Sequence, residues 1–175
     1  MLVSELKKTI RQIPDFPKPG IAFKDITPLF RDAEAFRSAM ERLGDRYEGE
    51  KIDAVAGIDA RGFILASILA YRLGTGLILV RKAGKLPGTL ESESYALEYG
   101  EAKIEVHRDA AGPGQRILVV DDLLATGGTA AATGRIFERL GARVEGYGFL
   151  VELDFLNGRA KLPPDRVFSL IHFED

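Results

Sequence analysis

The stretch Ile117-Leu118-Val119-Val120-Asp121-Asp122-Leu123-Leu124-Ala125-Thr126-Gly127-Gly128-Thr129 constrains this chain more than any other. The apolar run from Ile117 to Val120 predicts a buried strand. It ends in two adjacent acids, then a turn of small residues, then Ala130–Leu140, which reads as a helix. Such a turn lets backbone N–H groups converge at a helix N-terminus, where the helix dipole and hydroxyl donors favour a phosphate. Two carboxylates beside that cradle repel a bare phosphate, so the ligand should also carry hydroxyls or a metal. A sugar phosphate meets both demands. Taken alone, Gly-Gly-Thr also fits an ordinary strand-to-helix turn. The apolar strand and the acid pair tip the balance toward a ligand loop.

The two commoner nucleotide loops are missing. No G-x-x-x-x-G-K-[ST] sends a lysine into a triphosphate, and no G-x-G-x-x-G opens a dinucleotide-binding unit. At 175 residues the chain suits one domain that buries roughly two-thirds of its unfolded surface. Its net charge of −2 and lack of a basic tract argue against nucleic acid as a partner. No apolar run approaches the roughly 18 residues that span a bilayer, and the start lacks a secretory pattern. Zero cysteines exclude disulfides and thiolate chemistry. These features predict a cytoplasmic protein with no membrane partner. His107 and His172 show no metal-ligand spacing and read as structural or surface residues.

Along the chain, Ser4 is expected to cap a helix over Glu5–Gln12, followed by an irregular path through Pro14, Pro17, Pro19 and Gly20. Helices are expected over Ala33–Leu43, closed by Gly44, and over Gly62–Leu73, stopped by Gly74. Strands are expected at Ile52–Ile58, Leu77–Arg81, Lys103–His107, Gly146–Leu150 and Val167–Ile171, with a short helix or turn at Leu156–Leu162. Residues 83–100 read as a long functional loop. Strands alternating with helices predict an α/β fold with a mainly parallel twisted sheet flanked by helices. Ligands in such folds collect beyond the carboxyl ends of the strands, the position of both the Gly57–Gly62 and Asp121–Thr129 loops.

The 118–129 motif resembles the phosphoribosyl pyrophosphate motif of the type I phosphoribosyltransferases. Other segments resemble the adenine-using branch of that family: Asp15-Phe16-Pro17-Lys18-Pro19-Gly20, Phe23-Lys24-Asp25-Ile26, Gly57-Ile58-Asp59-Ala60-Arg61-Gly62-Phe63, Arg81-Lys82-Ala83-Gly84-Lys85-Leu86-Pro87-Gly88 and Tyr95-Ala96-Leu97-Glu98-Tyr99-Gly100. They occur in the family's order and cover nearly the whole chain. The resemblance implies a single domain, with a small N-terminal hood over roughly residues 1–30 and a mobile catalytic loop over roughly 83–100. It further implies a homodimer that converts adenine and phosphoribosyl pyrophosphate to AMP and pyrophosphate with Mg2+.

By that resemblance, Ala125, Thr126, Gly127, Gly128 and Thr129 hold the 5′-phosphate, while Asp121 and Asp122 hold the ribose diol directly or through magnesium-bound water. Asp59, Ala60 and Arg61 form a pyrophosphate loop, joined by Arg81, Lys82 and Lys85. An arginine is poorly matched to a positive helix start, which favours an anion as the partner of Arg61; the three cations at 81–85 also fit a solvated charge run. Backbone groups of Ala22 and Lys24 read the adenine edge, and Phe23 and Leu123 sandwich the ring, although Phe23 alone also fits a core position. Glu98 assists proton movement from a closing loop, and Tyr99 shields the site or positions the ribose. Three other readings are another purine base, a nucleic-acid-binding sensor of phosphoribosyl pyrophosphate, and a purely structural dimer subunit. The mildly acidic chain argues against the sensor, and the acid pair with Glu98 against the structural subunit.

Overall fold

The computed structural model describes residues 1–97 and 100–174. Helix α1 (Val3–Thr9) leads into an antiparallel pair, β1 (Arg11–Ile13) and β2 (Phe23–Asp25), and then into α2 (Thr27–Arg31) and α3 (Ala33–Tyr47). The main body follows as β3 (Ala54–Ile58), α4 (Gly62–Leu73), β4 (Gly76–Lys82), β5 (Leu90–Ala96), β6 (Glu101–His107), β7 (Arg116–Leu124), α5 (Gly128–Arg139), β8 (Arg143–Leu153) and β9 (Val167–Phe173). Short 3-10 turns at Asp154–Leu156, Gly158–Lys161 and Pro164–Arg166 join the last two strands.

One seven-stranded sheet runs in the order β5-β6-β4-β3-β7-β8-β9. From β4 to β9 its pairings are parallel, while β6 and β5 add an antiparallel edge. Strand β7 is apolar on both faces because both faces are covered. Leu118 and Val120 pack with Leu65 and Leu69 of α4 and Leu43 of α3. Ile117 and Val119 pack on the other side with Ile136 and Phe137 of α5.

Several boundaries differ from the sequence expectations, each for a local reason. The first helix starts at Val3, so Ser4 lies inside it, and the Glu5 carboxylate caps instead by accepting from Leu2 N–H at 2.6 Å. The helix stops at Thr9 because Arg11–Ile13 pairs with Phe23–Asp25. Helix α3 runs through Gly44 to Tyr47, since the Arg72 side chain lies against Gly44 where a Cβ would stand. Strand β7 does not end at the acids but carries them, continuing to Leu124 beside β8.

The largest difference is β5, inside the expected 83–100 loop. Its residues Glu91, Glu93 and Tyr95 share one face by the period of two. That face lies along α5, where Arg139 pairs with Glu91 at 2.9 Å and with Glu93 at 2.6 Å, and Arg135 pairs with Glu93 at 2.6 Å. A strand whose buried face is ionic leaves no hydrophobic period to read.

At the N-terminal end, Asp25 ties the β1–β2 pair to α2. Its carboxylate pairs with Arg11 at 2.5 Å and accepts from Thr27 N–H at 2.9 Å. Lys24 turns its ammonium inward, to Gln12 Oε1 at 2.9 Å and over the Phe173 ring at 4.6 Å. The Arg11 guanidinium first, then the Thr27 N–H, lower the Asp25 carboxyl from 3.8 to about 2. A carboxyl lowered on folding stabilises the fold above its unfolded value and loses that contribution as the pH falls through the folded one. The melting-temperature gap between the parent and Asp25→Asn should therefore be full above about pH 5, narrow as the pH falls and close by about pH 1, as followed by circular dichroism.

Candidate active site

Strands β3 and β7 are neighbours and parallel, with Gly57 opposite Val120. The loops that leave their carboxyl ends therefore start side by side. The first, Asp59 to Arg61, leads into α4, and Gly62 at the start of that helix sits directly on Asp121. A Cβ on Gly62 would meet Asp121 Oδ1 at 2.8 Å and the Val120 carbonyl at 3.0 Å. Only a residue without a side chain fits between α4 and β7 here.

An ion pair joins the first loop to the end of β7: Arg61 Nε donates to Asp122 Oδ2 at 2.5 Å. Asp122 is buried, so its charge requires such a partner. Asp121 Oδ1 accepts from the Asp122 N–H at 2.8 Å. Burial first, and the neighbouring Asp122 charge second, push the Asp121 carboxyl well above the usual range. Next to these, Asp59 accepts from Arg81 Nε at 3.3 Å and from Lys82 N–H at 3.4 Å. Direct bonds thus form two groups, Arg61 with Asp122 and Asp121, and Asp59 with Arg81 and Lys82, which the loop from Asp59 to Arg61 joins along the chain. The Lys82 and Lys85 side chains are exposed, as is Ala60.

The second loop passes from β7 into α5, enclosing a cavity of about 80 Å³ lined by Asp121, residues 123–130 and Phe149. Gly127 has φ +77° and Gly128 opens the helix. The Thr129 hydroxyl lies 2.9 Å from the Tyr95 hydroxyl. Leu123 borders this cavity and also packs against the α4-side core. In the N-terminal segment, Phe23 is half-buried and meets Phe16 edge-on at 5.2 Å, while Ala22 is exposed. With the Lys24 side chain turned toward Phe173, only its backbone is left to face a ligand. Glu98 and Tyr99 lie outside the described residues.

Sequence reading expected the short helix or turn at Leu156–Leu162, where the structure has a 3-10 turn, but not that this segment backs the second loop. Gly158, in the turn after β8, packs backbone to backbone against it. A Cβ on Gly158 would lie 2.2 Å from the Ala125 carbonyl, and one on Gly127 would lie 2.3 Å from the Gly158 carbonyl. Arg159 holds that turn by donating to both oxygens of buried Glu152, at 3.1 and 2.6 Å, and to the Val167 carbonyl at 3.0 Å. The β8–β9 pairing also sets Glu152 opposite His172, whose ring bonds Asp154 at 2.9 Å. A lone Gly-Arg in a polar stretch carries no signal of this contact.

Comparison with known proteins agrees with the geometry. Residues 29–167 match the phosphoribosyl transferase domain family. The adenine phosphoribosyltransferase of Syntrophotalea carbinolica is 53% identical over 171 residues, covering 98% of this chain and 100% of the relative. The crystal structure of the Thermoanaerobacter pseudethanolicus adenine phosphoribosyltransferase superposes with a TM-score of 0.94 at 52% identity, covering 98% of this chain and 99% of that one. The Saccharomyces cerevisiae enzyme, solved with an imino-altritol bisphosphate and adenine, gives 0.90 at 42% identity, covering 97% and 98%. Matched along nearly its full length and built on the same mostly parallel sheet, this chain belongs to the adenine phosphoribosyltransferase family.

Proposed function

We propose that the chain makes AMP from adenine and 5-phosphoribosyl 1-pyrophosphate, releasing pyrophosphate. The observation that carries this reading is the Arg61–Asp122 bond, which ties the loop after β3 to the acid pair of the neighbouring parallel strand β7. That loop offers cations and a helix start, while β7 offers the carboxylate pair and leads to a second helix start. Together they suit a ligand with phosphates at two ends and hydroxyls between.

In the reaction, the bond from adenine N9 to C1′ forms as the bond from C1′ to pyrophosphate breaks, and the N9 proton leaves. Arg61, Arg81, Lys82 and Lys85 would take up the negative charge that builds on the departing pyrophosphate, with backbone N–H groups of Asp59 and Ala60. Residues Ala125 to Thr129 would hold the 5′-phosphate. Asp121, with its raised carboxyl, and Asp122 would engage the ribose diol. Backbone groups of Ala22 and Lys24, with the Phe23 ring and Leu123, would form the base pocket. Glu98 is assigned to proton movement and Tyr99 to ribose positioning on the Tyr95–Tyr99 motif alone.

Magnesium, bound with the substrate, would neutralise charge on the leaving pyrophosphate. The hard oxygens of Asp121 and Asp122 fit that ion through water, as in sites where one or two carboxylates and substrate phosphates share it. No helix among the described residues is long and apolar enough to cross a membrane, and we place the enzyme in the cytoplasm.

We also assign it as a homodimer. Helix α4 packs one face on the sheet and still carries large apolar residues on its outer side. Its residues Ile64 and Tyr71 are exposed, the latter by 90%, and so are Leu77 and Leu79 of the following strand β4. A second copy would cover them. Sedimentation should find a dimer in the parent protein and a folded monomer for Tyr71→Glu combined with Leu79→Glu.

With phosphoribosyl pyrophosphate and magnesium supplied, AMP should form from adenine, and neither hypoxanthine nor guanine should be turned over. Turnover of an oxopurine alone would leave the phosphate loops standing and remove the base pocket. Gly158→Ala should displace the Ala125–Thr129 loop, because its new Cβ meets backbone that cannot swing away. The expected result is a rise of at least tenfold in the KM for phosphoribosyl pyrophosphate, on the order of 1.4 kcal/mol, with the KM for adenine little changed.

A further inference from the structure

The hydroxyl of Tyr95 has a bonding position that none of the assigned roles uses. Tyr95 ends the ionic face of β5, four residues beyond Glu91 and two beyond Glu93. The pairs of Glu91 and Glu93 with Arg139 and Arg135 lay this strand along α5, so Tyr95 arrives at the first turn of that helix. Its ring covers Gly128, where an added Cβ would stand 3.1 Å from the ring edge. Its hydroxyl oxygen lies 2.9 Å from Thr129 Oγ1.

A threonine hydroxyl has one proton to give and lone pairs to accept with. If Thr129 gives its proton to a phosphate oxygen, its own oxygen remains free to accept, and the group in reach is the Tyr95 O–H. The same separation serves either direction of the bond. A donor behind Thr129 polarises its hydroxyl toward the anion and fixes its rotamer. We propose that Tyr95 is a positioning residue for the 5′-phosphate, its hydroxyl donating to Thr129 while the Thr129 hydroxyl donates to the phosphate. This relay rests on the phosphoribosyl reading above. It gives the β5 arm a direct link to the phosphate loop, separate from any residue that follows it in the chain.

The test uses Tyr95→Phe, which keeps the ring over Gly128 and removes only the hydroxyl. Calorimetric titration with ribose 5-phosphate, and initial rates with phosphoribosyl pyrophosphate, magnesium and adenine, are compared with the parent. The Kd for ribose 5-phosphate and the KM for phosphoribosyl pyrophosphate should each rise roughly three- to tenfold, the size of one hydrogen bond. The KM for adenine should not move. In a Thr129→Val background, adding Tyr95→Phe should cost nothing further, because the relay is already cut. Unchanged ribose 5-phosphate affinity in Tyr95→Phe would overturn the relay, and so would a full additive loss in the Thr129→Val background. A parent protein that neither binds phosphoribosyl pyrophosphate nor forms AMP would instead overturn the underlying reading.

Discussion

The parallel pairing of β3 with β7 is the contact on which the rest of the site depends. Each strand ends in a loop that turns into a helix, and pairing Gly57 with Val120 sets those exits side by side. The bond between Arg61 and Asp122 then crosses a gap that sixty residues of chain would otherwise leave open. Both helices start over the same edge of the sheet, so their N–H groups and dipoles add where the ligand's charges would lie. A slip of one residue in this register would exchange the faces on which Asp121 and Asp122 lie and break the bond to Arg61.

Electrostatics explains why the cluster is tolerable. Two adjacent carboxylates under a helix are costly in low dielectric. The structure meets that cost in two ways: Asp122 takes a guanidinium partner, and Asp121 is pushed toward its neutral form. Asp59 is met similarly by Arg81 and the Lys82 N–H. The cluster as a whole therefore carries charge of both signs, which suits a substrate that joins anionic phosphates to neutral hydroxyls.

Outside the two loops, support comes from elements with little hydrophobic signature. The β5 arm is held on α5 by four ionic side chains, and the turn after β8 by one arginine on a buried glutamate. Both press on the Ala125–Thr129 loop, from Tyr95 on one side and Gly158 on the other. Strand β5 was invisible as a strand because its packed face is Glu, Glu and Tyr. Gly158 was invisible because its partner lies thirty residues away in sequence.

The sequence by itself determined the alternation of strands and helices, the apolar core of β7, the helix over Gly62–Leu73, and the family to which the motifs belong. These are local properties: a run of apolar residues, a helical start and stop, a spacing of acids and glycines. Only the tertiary structure decided that the acids sit within a strand that continues past them. It also decided that Arg61 meets Asp122 and that a distant glycine backs the Ala125–Thr129 loop. Those outcomes depend on which strands are neighbours and in what register. Long-range packing selects both, and neither leaves a trace in the periodicity of any single segment.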